Sequence, residues 1–300
     1  MIIYNGASGG LGRHLRASAE RIGETAHAIQ ARLEDSSSLA RELDAIGKPD
    51  AVTFIHLAAK VSVPECEADP HGAEFVNVTL AESTARRLIQ WARRGDTALR
   101  IIYVSSGHVY AAPSVGELVT EGQSTEPRSV YARTKLAAES VLRELCATER
   151  VPLMVGRVFG LIAPGQAAHY VLPGLIRRVS MRDLAAVPGL DFTRDYLDAR
   201  DVCDDLVALA SNPWPSPATI VNVCSGIPVT IRELLRLVIE EMQPARAAEL
   251  MAEVRGAPGR PGDIAWLVGS PARFSDIAGI APQRIPLQLT VRDTVANEAS

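Results

Sequence analysis

Tyr131 and Lys135 stand four residues apart in the stretch YARTK. The apolar spacing of Val130, Leu136, Ala137, Val141, Leu142 and Leu145 predicts a helix over 129–148, which puts positions i and i+4 on one face. A cation beside a phenol favours the phenolate and pulls its pKa down from about 10. That is the direction proton transfer near neutrality requires. An exposed helical pair is the plainer alternative. Lysine is scarce, though: Lys48, Lys60 and Lys135 stand against 28 Arg, with 6 Tyr. Random placement gives roughly 0.06 Tyr-x-x-x-Lys matches.

Other residues offer chemistry of their own. Gly6, Gly9 and Gly12 in GASGGLG lie between an apolar run and a helical pattern, where backbone N–H groups and a helix N-terminus can cradle a pyrophosphate. No acid stands at the end of the next strand, where Gln30 and Arg32 are found instead, with Arg13 just after the glycines. Arginine suits a 2′-phosphate, so NADP is expected over NAD. Ser106 ends a strand at an edge where ligands bind in parallel sheets, and can donate to a substrate oxygen. His108, two residues on, can act as acid, base or donor. His56 sits inside an apolar strand and reads as a core residue. Asn77 can bond site backbone or serve structure alone. Arg194 can grip a phosphate or join a surface ion network, and Arg260 lies in a Pro/Gly-rich loop.

These residues need elements to hold them. The pattern predicts strands over 1–5, 26–31, 51–59, 100–106, 152–159 and 218–223, helices over 11–22, 73–93 and 129–148, and a helix from Ser36. Residues 60–70 read as a loop and 160–166 as a break. VLPGLIRRVS reads as a helix, and the span to about Gly189 as an inserted lobe over the site. Thr230 caps a helix beginning TIRELL, and a last helix runs over 287–296.

Length and composition narrow the class. Three hundred residues, 47% apolar and 22% charged, suit one large domain or a domain with an appended lobe. A net charge of -4 offers no general attraction for nucleic acid or anionic membrane. Cys66, Cys146, Cys203 and Cys224 show no C-x-x-C pairing, so neither a metal site nor a disulfide scaffold is expected, and a reducing cytoplasm fits. No apolar span is long enough for a membrane helix.

Together GASGGLG, HLAA, VSSGHVY, YARTK, TRDYLDARDV, VNVCSG and GRPGD resemble, in order and spacing, the extended short-chain dehydrogenase/reductases of the NAD-dependent epimerase/dehydratase family that act on nucleotide sugars. VPECEADP, APGQ and CSG followed by TIRELL are most similar to its GDP-4-keto-6-deoxy-mannose reductase branch. The resemblance implies an α/β fold: a Rossmann-type doubly wound parallel sheet over 1–163, to which 191–203 and 218–224 return, and a smaller C-terminal α/β substrate lobe, mainly 164–300. It implies Ser106, Tyr131 and Lys135 as the catalytic set, with His108 beside them. Lys135 would hold the nicotinamide ribose and lower the phenol pKa, Ser106 would orient a sugar carbonyl, and Tyr131 would protonate it. Gly6, Ser8, Gly9, Gly10, Leu11, Gly12, Arg13, Arg32, Leu33, Ala58, Ala59 and Val158 would line an NADP or NAD site. Ser106, His108, His169, Tyr170, Arg194 and Arg260 would meet the nucleotide sugar. The activity so implied is NAD(P)H-dependent reduction of a 4-keto-6-deoxy sugar by a homodimer paired through the helices near 76–94 and 129–148. The alternatives are an epimerase or epimerase-reductase using His108 with His169 or Tyr170, and, less favoured, a dehydratase or a non-catalytic sensor. Asn5 and Gly160 depart from the usual Thr and Asn.

Overall fold

The computed structural model describes residues 1–167, 169–259 and 262–298. In chain order the strands are β1 (Ile2–Tyr4), β2 (Ala26–Ala28), β3 (Ala51–His56), β4 (Ala98–Ser106), β5 (Leu153–Val158), β6 (Gly160–Ile162), β7 (Val187–Pro188), β8 (Thr193–Asp198), β9 (Ala218–Val223), β10 (Pro228–Thr230), β11 (Gly256–Ala257) and β12 (Trp266–Leu267). The α-helices are α1 (Gly12–Arg21), α2 (Ser36–Ile46), α3 (Val63–Ala68), α4 (Pro70–Glu74), α5 (Leu80–Gly95), α6 (Val130–Glu149), α7 (Val171–Ser180), α8 (Ala199–Ser211), α9 (Ile231–Met242), α10 (Ala247–Glu253), α11 (Ala272–Ala278) and α12 (Leu287–Glu298).

Six parallel strands form the main sheet in the order β2-β1-β3-β4-β5-β9. Apolar residues on both faces make this possible, as burial on two sides demands. Ile2, Tyr4, Ile102 and Met154 face α1 and α8, while Ile3, Phe54, Ile101 and Tyr103 share a core with Leu39, Leu88 and Leu142. The chain leaves β1 for β2 and returns to the other side at β3. That reversal opens a crevice at the carboxyl ends of β1 and β3, the place where such sheets hold ligands.

A second sheet runs β10-β8-β12, with β6 paired to β8. Its neighbour is a separate core of Ile162, Leu172, Leu175, Leu234, Val238, Leu250 and Val291, on α7, α9, α10 and α12. Residues 218–223 thus lie in the main sheet as β9, whereas 193–198 form β8 of the second sheet and only α8 packs back on α1. β9 is an edge, and side chains shield it: Asn222 N donates to Glu121 at 2.8 Å, Arg273 Nη1 donates to Ile220 O at 3.1 Å, and the two side chains pair at 3.7 Å.

Several predicted boundaries differ. The second strand stops at Ala28 and the third at His56. Residues 60–70 hold α3, capped by Ser62 and carrying Pro64 in its first turn, where a loop is expected. The helix predicted over 73–93 breaks into α4, a π-turn at Phe75–Thr79 and α5. β6 occupies the expected break at 160–162, and Gly160 permits it: a Cβ there would lie 2.7 Å from Asp195 O of β8. The Thr230 cap forms with Glu233 as a complete capping box.

Candidate active site

Around the glycine loop, bare backbone is a packing requirement. Gly6 has φ +70°, and a Cβ on it would sit 3.0 Å from Ala58 N. A Cβ on Gly12 would sit 2.1 Å from Gly6 O, while one on Gly10 would meet nothing within 4 Å. The loop therefore closes inward on itself and leaves its outer side open. α1 begins without a side-chain cap and without an acid in its first turn, so its N-terminal dipole is uncompensated. Arg13 Nε braces the loop by donating to Ser8 O at 3.1 Å.

Asn5 ties this loop to β3. Its Oδ1 accepts from Leu57 N at 2.8 Å and Ala58 N at 2.9 Å, so its amide nitrogen donates to His56 Nδ1 at 3.0 Å. His56 must then carry its proton on Nε2. Burial first, and the Lys135 charge second, push its pKa down to about 3. It is a neutral core residue.

Beyond β2, the Glu42 carboxylate accepts from Gln30 N at 2.9 Å and from Ala31 N at 2.8 Å. The Glu42 carboxylate is thereby committed to backbone. Arg32 is exposed and makes no side-chain hydrogen bond or ion pair among the described residues.

β4 delivers Ser106 to the sheet edge, where its Oγ accepts from His108 N at 3.2 Å and starts a tight turn. α6 begins at its Ser129 cap, which places Tyr131 in the first turn and Lys135 in the second. The π-turn swings Asn77 inward. Its Oδ1 accepts from Lys60 N at 2.7 Å, and its Nδ2 donates to Thr134 Oγ1 of α6 at 2.9 Å, locking the segment after β3 to the catalytic helix. Inserted π-turns are frequent at functional sites for this reason. An uninterrupted helical pattern gives no sign of it.

Burial pushes the Tyr131 phenol up to about 12, while the nearby Ser106 hydroxyl favours its ionisation and Tyr170 and Cys66 oppose it. The expected lowering by Lys135 is corrected here. Lys135 is buried, its own pKa is pushed down to about 7, and its Nζ lies 4.4 Å from the centre of the Tyr103 ring. With its Nζ over another ring, the amine does not offset the effect of burial on the Tyr131 pKa. Tyr103 Oη itself is buried and has no hydrogen-bond partner among the described residues.

His108 is pushed down to about 4 by burial, then by the Arg194 charge, with Asp263 acting the other way. It is a neutral imidazole near pH 7. Arg194 lies 5.6 Å over Phe192 and donates to Thr193 O at 2.9 Å. Tyr170 stacks on exposed His169 at 4.4 Å and is close enough to influence Tyr131, so of the two it is Tyr170 that approaches the phenol. Val158 pairs in register with Ser106. Arg260 lies outside the described residues. Sequence reasoning missed Tyr103 and Glu139, both beside Lys135. A charged residue at Lys135 plus four and another, Arg157, inside an apolar strand were the available signals.

The profile of the NAD dependent epimerase/dehydratase family matches residues 3–224. The chain belongs to this family. Its members' fold extends over the whole chain: a structure of RMD from Pseudomonas aeruginosa complexed with NADPH superposes with TM-score 0.80 at 28% identity, covering 99% of this chain and 98% of the other. UDP-glucose 4-epimerase from Thermus thermophilus, complexed with NAD, gives TM-score 0.80 at 23% identity, over 99% and 98%. In sequence, the GDP-6-deoxy-D-mannose reductase of Pseudomonas aeruginosa is 31% identical over 295 residues, 94% of this chain and 92% of that protein. Membership makes the chain an NAD(P)-dependent enzyme of the extended short-chain dehydrogenase/reductase type. The residues present fit a dinucleotide: the Gly6–Gly12 turn excludes side chains on its inner side, stays open at Gly10, and faces an uncapped helix N-terminus.

Proposed function

We propose that the protein reduces the 4-keto group of a nucleotide-linked 4-keto-6-deoxy sugar, using NADPH in preference to NADH. What carries this reading is the near full-length similarity to GDP-6-deoxy-D-mannose reductase in a chain that brings Ser106 and Tyr131 together. Gly6, Ser8, Gly9, Gly10, Leu11, Gly12, Arg13, Ala58 and Ala59 hold the dinucleotide, with Arg32 and Leu33 at its adenine end and Val158 and Lys135 at the other. Arg32, with Glu42 tied to backbone, supports the preference for a 2′-phosphate. When bound, the dinucleotide supplies a hydride to the carbonyl carbon. Ser106 and Tyr131 hydrogen-bond the carbonyl oxygen, and Tyr131 passes it a proton as the carbon–oxygen double bond becomes single. Lys135, as an ammonium, offsets the phenolate left behind. Arg194 and Arg260 hold the diphosphate, and His108, His169 and Tyr170 select the sugar.

Residues 1–163 with 199–203 and 218–224 act as the dinucleotide domain, and 164–300 mainly as the sugar-nucleotide domain; the separate core of the latter supports this division. A homodimer would pair through α5 and α6, which lie side by side within each copy. Four free, buried cysteines support a cytoplasmic setting.

Incubation with a GDP-4-keto-6-deoxy sugar should consume one NADPH per sugar reduced, with NADH used less well. Solvent deuterium entering the sugar without loss of NADPH would support epimerisation instead. Cofactor binding without turnover on GDP-, dTDP-, UDP- and CDP-linked ketosugars would overturn the proposal.

A further inference from the structure

Lys135 is a buried cation, and the carboxylate acting on it is Glu139, one turn along α6. Glu139 cannot pivot. Its Oε1 accepts from Ser105 Oγ of β4 at 2.5 Å and from Arg157 Nε of β5 at 3.1 Å, and its Oε2 accepts from Arg157 Nη2 at 2.7 Å. Arg157 lies 4.6 Å over the Tyr110 ring, whose Oη donates to Asn222 Oδ1 at 2.7 Å. No ion pair joins Lys135 to Glu139 among the described residues, because Arg157 and Ser105 occupy the carboxylate.

Desolvating a buried ion pair costs as much as or more than it returns, so stability alone is a weak reason for one. Its position supplies a better reason. A free carboxylate here would draw the lysine nitrogen down into a contact pair. One already gripped attracts it from one turn away and leaves it over Tyr103.

We infer that Glu139 is a positioning residue for the reaction: held by Arg157 and Ser105, it keeps the Lys135 nitrogen protonated and directed over the Tyr103 ring. The inference rests on the reading of Lys135 as the charged partner of Tyr131. The groups around the amine are Glu139 from α6, Tyr103 from β4 and His56 from β3, with Tyr131 of α6 close to Tyr103 and Arg157 from β5 behind the carboxylate. His56 and the two phenols stay neutral near pH 7, so Glu139 is the anion left to favour the ammonium.

The three lysines of the chain make a direct test practical. Protein labelled with 13C at lysine Cε gives three resonances to follow with pH, without cofactor or substrate, and loss of one in Lys135→Met identifies it. Glu139→Gln should lower the Lys135 midpoint by about one unit or more, and Glu139→Asp should return it toward the wild-type value. An unchanged midpoint in folded Glu139→Gln overturns the proposal. If that variant does not fold, Arg157→Met serves: Lys135 becomes the remaining cation facing Glu139, and its midpoint should rise, whereas a fall or no change overturns it. Because no turnover enters the readout, failure of the sugar-reductase reading and failure of this inference show up in different experiments.

Discussion

At the scale of single residues, the site joins a phenol that holds its proton tightly to an amine that is ready to lose its own. Tyr131 is pushed up to about 12 and Lys135 down to about 7, both chiefly by burial. Tyr131→Phe removes the donated proton and keeps the ring, so kcat should fall by about 10²–10⁴-fold with NADPH affinity little changed. Steady-state kinetics beside fluorescence titration of NADPH would check both halves. The Lys135 proton fixes the pH sign. The ammonium is present below about pH 7, so kcat/KM for reduction should decline as pH rises through that value in the free enzyme. Stability should move the opposite way: the unfolded chain binds this proton more tightly, so the Lys135 contribution to stability improves as pH rises above about 7. A falling rate with a rising Tm between about pH 7 and 9 distinguishes active-site titration from unfolding. Tyr131 and Lys135 were legible from sequence because a rare residue stood at a helical spacing. The direction of the phenol shift was not, since spacing tells nothing of how deep the pair lies.

Elements decide what those residues can reach. The strand, glycine turn and helix at the start were legible because three local signals agree within about twenty residues. What the turn excludes was not, since it depends on β3: Gly6 closes against Ala58, fifty-two positions away in sequence. Two substitutions separate packing from binding. Gly12→Ala drives a methyl group into Gly6 O and Ala7 Cα, and should cost about 1–3 kcal/mol of stability as well as cofactor affinity. Gly10→Ala has open space before it, and should unfold like the wild type while binding NADPH more weakly. Denaturant melts paired with NADPH titrations give both outcomes. α3 escaped the sequence reading because six residues, one of them proline, carry too little periodicity, and the π-turn because its extra residue leaves the apolar pattern almost intact.

Over the whole molecule, the segment before the last helix is fastened by buried charge to α8 and to the end of β9. Arg284 donates to Asp205 of α8 at 3.1 and 2.8 Å and to Cys224 O at 2.7 Å, and the neighbouring Ile285 N donates to Asp201 at 3.0 Å. Arg284→Met would strand Asp205 without its cation. Breaking one partner of a buried pair costs about 3–5 kcal/mol, to be read as a lower urea midpoint, and acidification should recover part of it, since burial already holds Asp205 at about 6. The main sheet was legible from its apolar runs, whereas the second sheet was not: β6, β10 and β12 have three residues or fewer, and their pairing with β8 is set by tertiary contact. The guarded outer strand has its own consequence. With Glu121 taking the amide of Asn222 and Arg273 covering the carbonyl of Ile220, β9 has fewer bare peptide groups to offer a passing chain. The sheet ends inside its own molecule, and copies crowded together during synthesis meet a charged seam there in place of a template for fibrous growth.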